Sequence, residues 1–117
     1  YVEDNPTNIQ LMRQMLGKVP SLSLATAQDA ETAFKMIADK RPDVVIMDIH
    51  LPGMNGIEAL GKLRGAAETV DLPVIALSAK AMPEDIKLGL DAGFRQYLTK
   101  PLVLPEVLSA IEDAVIS

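Results

Sequence analysis

Two segments of the chain carry uninterrupted apolar runs, Val44-Val45-Ile46-Met47 and Val74-Ile75-Ala76-Leu77. A strand with one face in water alternates apolar and polar residues, and a strand covered on both faces does not. Both runs therefore predict central strands of a parallel sheet. Ser21-Leu22-Ser23-Leu24-Ala25 does alternate and predicts an edge strand. Phe94 to Leu98 is a fourth candidate. Tyr1-Val2 reads as the tail of a fifth, cut short at its start, since a full strand needs roughly two or three more residues.

Between these runs the apolar positions follow a helical period. Ile9, Met12 and Leu16 share a face behind Asn5 as N-cap and Pro6 as first helical residue. Ala30, Ala33, Phe34, Ile37 and Ala38 form a second stripe behind Asp29, and Ile57, Leu60 and Leu63 a third. Pro83 opens a fourth helix, which Gly93 closes. Leu104, Val107, Leu108, Ile111 and Val115 make the clearest stripe. Strands and helices in strict alternation predict an α/β fold in three layers, a parallel sheet with helices on both faces.

Open α/β sheets bind ligands beyond the carboxyl ends of their strands. The first strand ends in Glu3-Asp4, the third in Asp48, the fourth in Ser78 and the fifth in Thr99-Lys100-Pro101. The second ends in Thr26-Ala27 and suits an edge position away from the crevice. Singly, each residue has an ordinary structural reading. Asp48 suits a cap or turn, Glu3-Asp4 a helix start, and Ser78 a loop hydroxyl. Lys100 suits a solvated surface and Tyr97 a half-buried strand position. His50 reads as a loop residue, because no second His or Cys accompanies it as a metal ligand. Their joint occurrence at successive strand ends argues against independent structural roles.

Three carboxylates in one crevice repel each other, and a divalent cation relieves them. Carboxylates with water suit Mg²⁺. With Lys100 and Ser78 added, the rim holds the parts for in-line phosphoryl transfer to a carboxylate nucleophile.

Composition narrows the field further. The 117 residues suit one domain, 1–117. The net charge of −5, from 16 acidic and 11 basic residues, disfavours direct nucleic-acid contact. Two Phe, two Tyr and no Trp offer no base-stacking platform. The absence of cysteine excludes thiol chemistry and fits a cytoplasmic protein. No run approaches the ~18 apolar residues of a membrane span, and no basic-then-apolar leader opens the sequence.

Val2-Glu3-Asp4-Asn5-Pro6, the stretch Met47 to Gly56 (MDIHLPGMNG), Ala76-Leu77-Ser78-Ala79, Ala92-Gly93 and Tyr97-Leu98-Thr99-Lys100-Pro101 stand in a fixed order and spacing. On these residues the chain resembles a bacterial response-regulator receiver domain over essentially its whole length. The resemblance implies a flavodoxin-like (βα)5 fold with five parallel strands in the order 2-1-3-4-5. It implies that Asp48 accepts a phosphoryl group from the phosphohistidine of a histidine kinase or histidine phosphotransfer domain. Asp4 and Asp48 would ligate Mg²⁺ directly, Glu3 through water, and His50 through its backbone carbonyl. Ser78 and Lys100 would hold phosphoryl oxygens, and the Lys100–Pro101 peptide would be cis. Tyr97 would swing inward behind Ser78. The face of the fourth helix, fifth strand and fifth helix would then change shape, and could join two copies of the domain.

The resemblance further implies a domain that catalyses its own phosphorylation and dephosphorylation, without membrane insertion, in the cytoplasm or on the cytoplasmic part of a membrane-bound sensor kinase. The opening and the Ala-Leu-Ser-Ala segment are similar to receivers of hybrid sensor kinases, whose full-length chains carry kinase activity; a stand-alone receiver is the other option. Three rival readings remain. A Mg²⁺-dependent aspartyl-phosphate phosphohydrolase usually carries a second Asp two residues after the nucleophile, where this chain has His50. A flavodoxin-type electron carrier needs an anion-binding loop where this chain has Glu3-Asp4. A degenerate receiver acting only as an interaction module would not need the full set of polar groups found here.

Overall fold

The computed structural model describes residues 1–116. Three strands, β1 (Val45–Asp48), β2 (Val74–Ser78) and β3 (Gln96–Thr99), form a parallel sheet in the order β1-β2-β3. Asp48 pairs with Leu77 and Ser78 with Thr99, so the three carboxyl ends finish nearly level. Every residue of β1 and β2 is buried, as unbroken apolar runs require, while β3 is half-buried throughout.

The expected first and second strands are not formed as strands among the described residues. Val2 instead makes single parallel bridges, to Ala27 on one side and to Met47 on the other. Glu3 N–H donates to the Ala27 carbonyl (2.9 Å) and Asp48 N–H to the Val2 carbonyl (3.0 Å). The alternation at 21–25 is real in exposure: Leu22 and Leu24 are half-buried between exposed Ser21, Ser23 and Ala25. Alternation orients side chains, however, and a ladder also needs consecutive backbone partners. Among the described residues those occur at Ala25 and Ala27, which bond Tyr1 and Glu3, and not along Ser21 to Leu24.

All five expected helices form: α1 (Pro6–Leu16), α2 (Ala30–Asp39), α3 (Gly56–Arg64), α4 (Pro83–Ala92) and α5 (Leu104–Ile116). Their starts follow the capping chemistry. The Asn5 side chain accepts from Thr7 N–H at 2.8 Å and the Asp29 side chain from Thr32 N–H at 2.7 Å. Asn55 and Glu58 close a reciprocal capping box on α3. Gly93, at φ 114°, ends α4 in the left-handed region that glycine enters without strain. The Lys100–Pro101 peptide is cis, as expected.

The strands divide their side chains between two cores. Val45, Met47, Val74 and Ala76 pack with Ala30, Ala33 and Ile37 of α2 and Ala59, Leu60 and Leu63 of α3. Ile46, Ile75 and Leu77 pack with Met12 and Leu16 of α1 and Val107, Ala110 and Ile111 of α5. The period of two along each strand thus produces a helix layer on either face. Burying a side chain such as Leu60 or Leu77 contributes about 1.5–3 kcal/mol, so these layers hold the strand ends in fixed register. The α4 helix packs on α3 and β3 and buries only Gly89. Among the described residues no helix is long and apolar enough to cross a membrane.

Candidate functional site

The end of β1 delivers Asp48, the turn after β3 delivers Lys100, and the bridges at Val2 bring Glu3-Asp4 beside them. Glu3 is 1% exposed and Asp48 4% exposed. Carboxylates so deeply buried need charged or hydrogen-bonded partners. Lys100 Nζ serves both, donating to Asp48 Oδ2 at 2.8 Å and to Glu3 Oε1 at 3.0 Å. The backbone N–H of His50 donates to Asp48 Oδ1 at 2.7 Å. Glu3 Oε1 also accepts from the Tyr1 hydroxyl (3.0 Å) and from Asn8 Nδ2 (3.1 Å), and Oε2 from Asn5 N–H (3.3 Å).

Asp4 is exposed at the mouth. One carboxylate oxygen from each of Glu3, Asp4 and Asp48 lies within 4.8 Å of the other two. Three carboxylates against one lysine leave a surplus of about two negative charges, which one divalent cation cancels. Hard oxygen donors with an open, solvent-facing side fit Mg²⁺.

The electrostatics follow from this crowding. Burial pushes the Glu3 carboxyl upward, but its bonds from Lys100 and Asn5 outweigh that and hold it below the ordinary carboxylate value. Asp4 goes the other way: partial desolvation, a hydrogen bond with Glu3 and the negative charges of Glu3 and Asp48 raise it. Burial pulls the Lys100 ammonium down, yet Asp48 and Glu3 more than compensate and keep it above its ordinary value. The Tyr1 hydroxyl is raised by burial and by Glu3.

Ser78 is fully buried, and its Oγ accepts from Lys80 N–H at 3.0 Å. The Tyr97 hydroxyl donates to the Lys80 carbonyl at 2.8 Å. The two groups therefore grip successive peptides on either side of Lys80. The loop after β1 is pinned as well. Gly56 N–H donates to the Ile49 carbonyl at 2.8 Å, and a Cβ at Gly56 would stand 2.8 Å from both Asp48 O and Ile49 Cα.

Asp48, Lys100, Glu3 and Asp4 thus meet in one acidic cup. Ser78 stands one residue beyond Leu77, the β2 partner of Asp48, and Tyr97 joins Ser78 through Lys80. His50 enters the cup through its N–H, while the residue as a whole is exposed. Sequence reasoning missed Tyr1 and Asn8 as donors to Glu3, and Gly56 as the brace under Asp48. For Asn8 a signal was available: a polar residue in the first turn of a helix that begins beside Glu3-Asp4 lies one turn from Asn5, on the same side.

Residues 1–112 match the family model described as the response regulator receiver domain. The transcriptional regulatory protein KdpE of Mycobacterium tuberculosis is 39% identical over 114 residues, which is 97% of this chain and 49% of KdpE. The chain spans about half the length of the curated relatives it matches. Among solved structures, it is similar to the receiver domain of the sensor histidine kinase PA1611 from Pseudomonas aeruginosa, solved with a magnesium ion coordinated in the active site cleft. That match has 30% identity and a TM-score of 0.88, over 99% of this chain and 94% of that one. The signal receiver domain of a signal transduction histidine kinase from Syntrophus aciditrophicus is similar at 25% identity and a TM-score of 0.85, covering 97% and 86% of the two chains.

Proposed function

This chain belongs to the response regulator receiver domain family, the phosphoacceptor signalling domains of two-component systems, and we propose that Asp48 is its phosphoacceptor. One observation carries the reading: a buried carboxylate at a strand end, held by Lys100 at 2.8 Å, with two further carboxylates beside it. A histidine kinase or histidine phosphotransfer domain supplies the phosphoryl group from phosphohistidine. An Asp48 oxygen forms the new bond to phosphorus in line, the phosphorus–nitrogen bond to imidazole breaks, and its electron pair stays on the ring.

The chain's own groups have defined tasks in that step. Lys100 Nζ now bridges Asp48 and Glu3, and it turns to a phosphoryl oxygen as charge develops there. Ser78 Oγ accepts from Lys80 N–H, so its own proton is available to a second phosphoryl oxygen. Asp4 and Asp48 with the His50 carbonyl would hold Mg²⁺, and Glu3 would act through a bound water. Bound there, the ion neutralises phosphoryl oxygens.

Phosphorylation turns a carboxylate of charge −1 into an acyl phosphate of about −2. Ser78 moves to meet it, Tyr97 follows, and the α4–β3–α5 face changes shape. Contacts to the phosphoryl group need supply only a few kcal/mol of preference between the two states. That face is where a second copy or a downstream partner would dock. We read the sheet as five-stranded in the order 2-1-3-4-5, with Tyr1-Val2 between the Ala27 segment and β1; the two bridges at Val2 support this. The same reading puts the domain in the cytoplasm or on the cytoplasmic part of a membrane-bound sensor kinase.

The test is incubation with acetyl phosphate, with and without Mg²⁺, followed by intact-mass measurement. One phosphoryl group is expected on the wild type in Mg²⁺ and none on Asp48→Asn. Equal labelling of Asp48→Asn would refute the assignment. Steady turnover of phosphomonoesters would favour the phosphohydrolase instead.

A further inference from the structure

The α4 helix carries a glycine in its interior, where glycine weakens a helix relative to alanine. No turn or positive φ explains Gly89. Its neighbours do. A Cβ built there would stand 2.7 Å from Tyr97 Cδ2 and 3.0 Å from Tyr97 Cε2, closer than carbon atoms pack. Phe94 lies at an ordinary 3.8 Å. The Tyr97 ring therefore rests directly on the bare backbone of α4, and from that seat its hydroxyl reaches the Lys80 carbonyl at 2.8 Å. Lys80 N–H in turn donates to Ser78 Oγ at 3.0 Å.

We propose that Gly89 is a positioning residue for Tyr97: the missing side chain is the seat that lets the Tyr97 hydroxyl hold the Lys80 carbonyl and so links α4 to Ser78. A methyl group at 89 leaves the ring two choices. It can slide off α4 and give up the Lys80 bond, or push α4 away from β3. Either way the link from α4 to the Ser78 loop is cut. The part of this inference that concerns signalling rests on the proposed switch role of Tyr97; the seat itself does not.

The chain contains a matched control. Gly61 lies in the interior of α3, is exposed, and a Cβ there meets nothing within 4 Å. Gly61→Ala gains helix propensity with no contact penalty. The experiment compares Gly61→Ala, Gly89→Ala, Tyr97→Phe, Tyr97→Ala and the double variant Gly89→Ala/Tyr97→Ala in the unphosphorylated protein. Urea midpoints are measured together with the carbonyl ¹³C shift of Lys80. Gly61→Ala should raise the midpoint and leave the Lys80 shift unchanged. Gly89→Ala should fail to raise the midpoint and move the Lys80 shift in the direction seen for Tyr97→Phe. In the Tyr97→Ala background the same Gly89→Ala change should raise the midpoint, because the clash has gone.

The proposal is overturned if Gly89→Ala stabilises like Gly61→Ala with an unmoved Lys80 shift. It is also overturned if Gly89→Ala is as damaging without Tyr97 as with it. Should Gly89→Ala alone not fold, recovery in the double variant supports the seat, and failure there rejects it. A wild-type protein whose Ser78 and Lys80 signals ignore beryllofluoride with Mg²⁺ would count against the switch reading, while the position of the ring is still decided by the unphosphorylated comparison.

Discussion

Lys100 and Asp48 are 52 residues apart in the chain, and their side chains meet at 2.8 Å. The same ammonium holds Glu3 at 3.0 Å, so one lysine keeps two buried carboxylates in place. Removing the lysine leaves both carboxylates buried with neutral hydrogen-bond donors but no countercharge. Lys100→Met, which keeps the aliphatic stem, should therefore destabilise the metal-free protein by on the order of 3 kcal/mol. Urea unfolding measures this. Saturating Mg²⁺ should recover part of the loss, since the ion supplies the missing positive charge.

Asp4 and Glu3 should respond to pH in opposite senses. The folded-state value of Glu3 lies below its ordinary one. In the window beneath the ordinary carboxylate value the unfolded chain binds more protons, so this contribution is present above that window and fades as pH falls through it. Asp4 is raised by partial desolvation and by Glu3 and Asp48. In the window above the ordinary value the folded chain holds more protons, so stability falls as pH rises through it. At neutral pH without metal, Asp4→Asn should then stabilise and Glu3→Gln destabilise. With Mg²⁺ added, Asp4→Asn should lose its advantage, because a ligand has gone. Urea midpoints for both variants, with Mg²⁺ and with a chelator, check the reversal of sign.

Gly56→Ala should disturb the phosphoacceptor without touching its chemistry. The new Cβ meets only backbone, at Asp48 O and Ile49 Cα, and backbone yields at a cost. A loss of roughly 1–3 kcal/mol is expected from such overpacking. Phosphorylation by acetyl phosphate should slow as well, because the strand end carrying Asp48 must shift. Stability and labelling rate measured on one preparation check both.

Asn55→Ala should separate stability from chemistry. It removes the N-cap of α3 and its capping box, which costs about 1 kcal/mol. The Asn55 side chain bonds only its own helix start, so the labelling rate at saturating phosphodonor should stay near that of the wild type.

The parts of the fold that were legible in the sequence are those set by local pattern. Val45–Asp48 and Val74–Ser78 lie on the unbroken apolar runs, and the caps at Asn5, Asp29 and Gly93 fall where the residue types placed them. The alternation over Ser21–Ala25 predicts a strand, but pairing depends on backbone partners that a local pattern does not encode. The cup was legible because strand ends converge in a parallel sheet, so residues after each run could be read as one group. What stayed hidden was anything set by contact between distant elements. That Lys100 would bridge Glu3 and Asp48 and that Gly89 would face Tyr97 both depend on how the finished elements pack against one another.

The residue that receives the phosphoryl group can be identified chemically. The protein is phosphorylated with acetyl phosphate in Mg²⁺, reduced with borohydride to convert an aspartyl phosphate to homoserine, digested and sequenced by mass spectrometry. Homoserine at position 48 alone is the predicted result. Conversion at Asp4 or elsewhere with position 48 untouched, or no conversion despite an intact Mg²⁺ site, would contradict it.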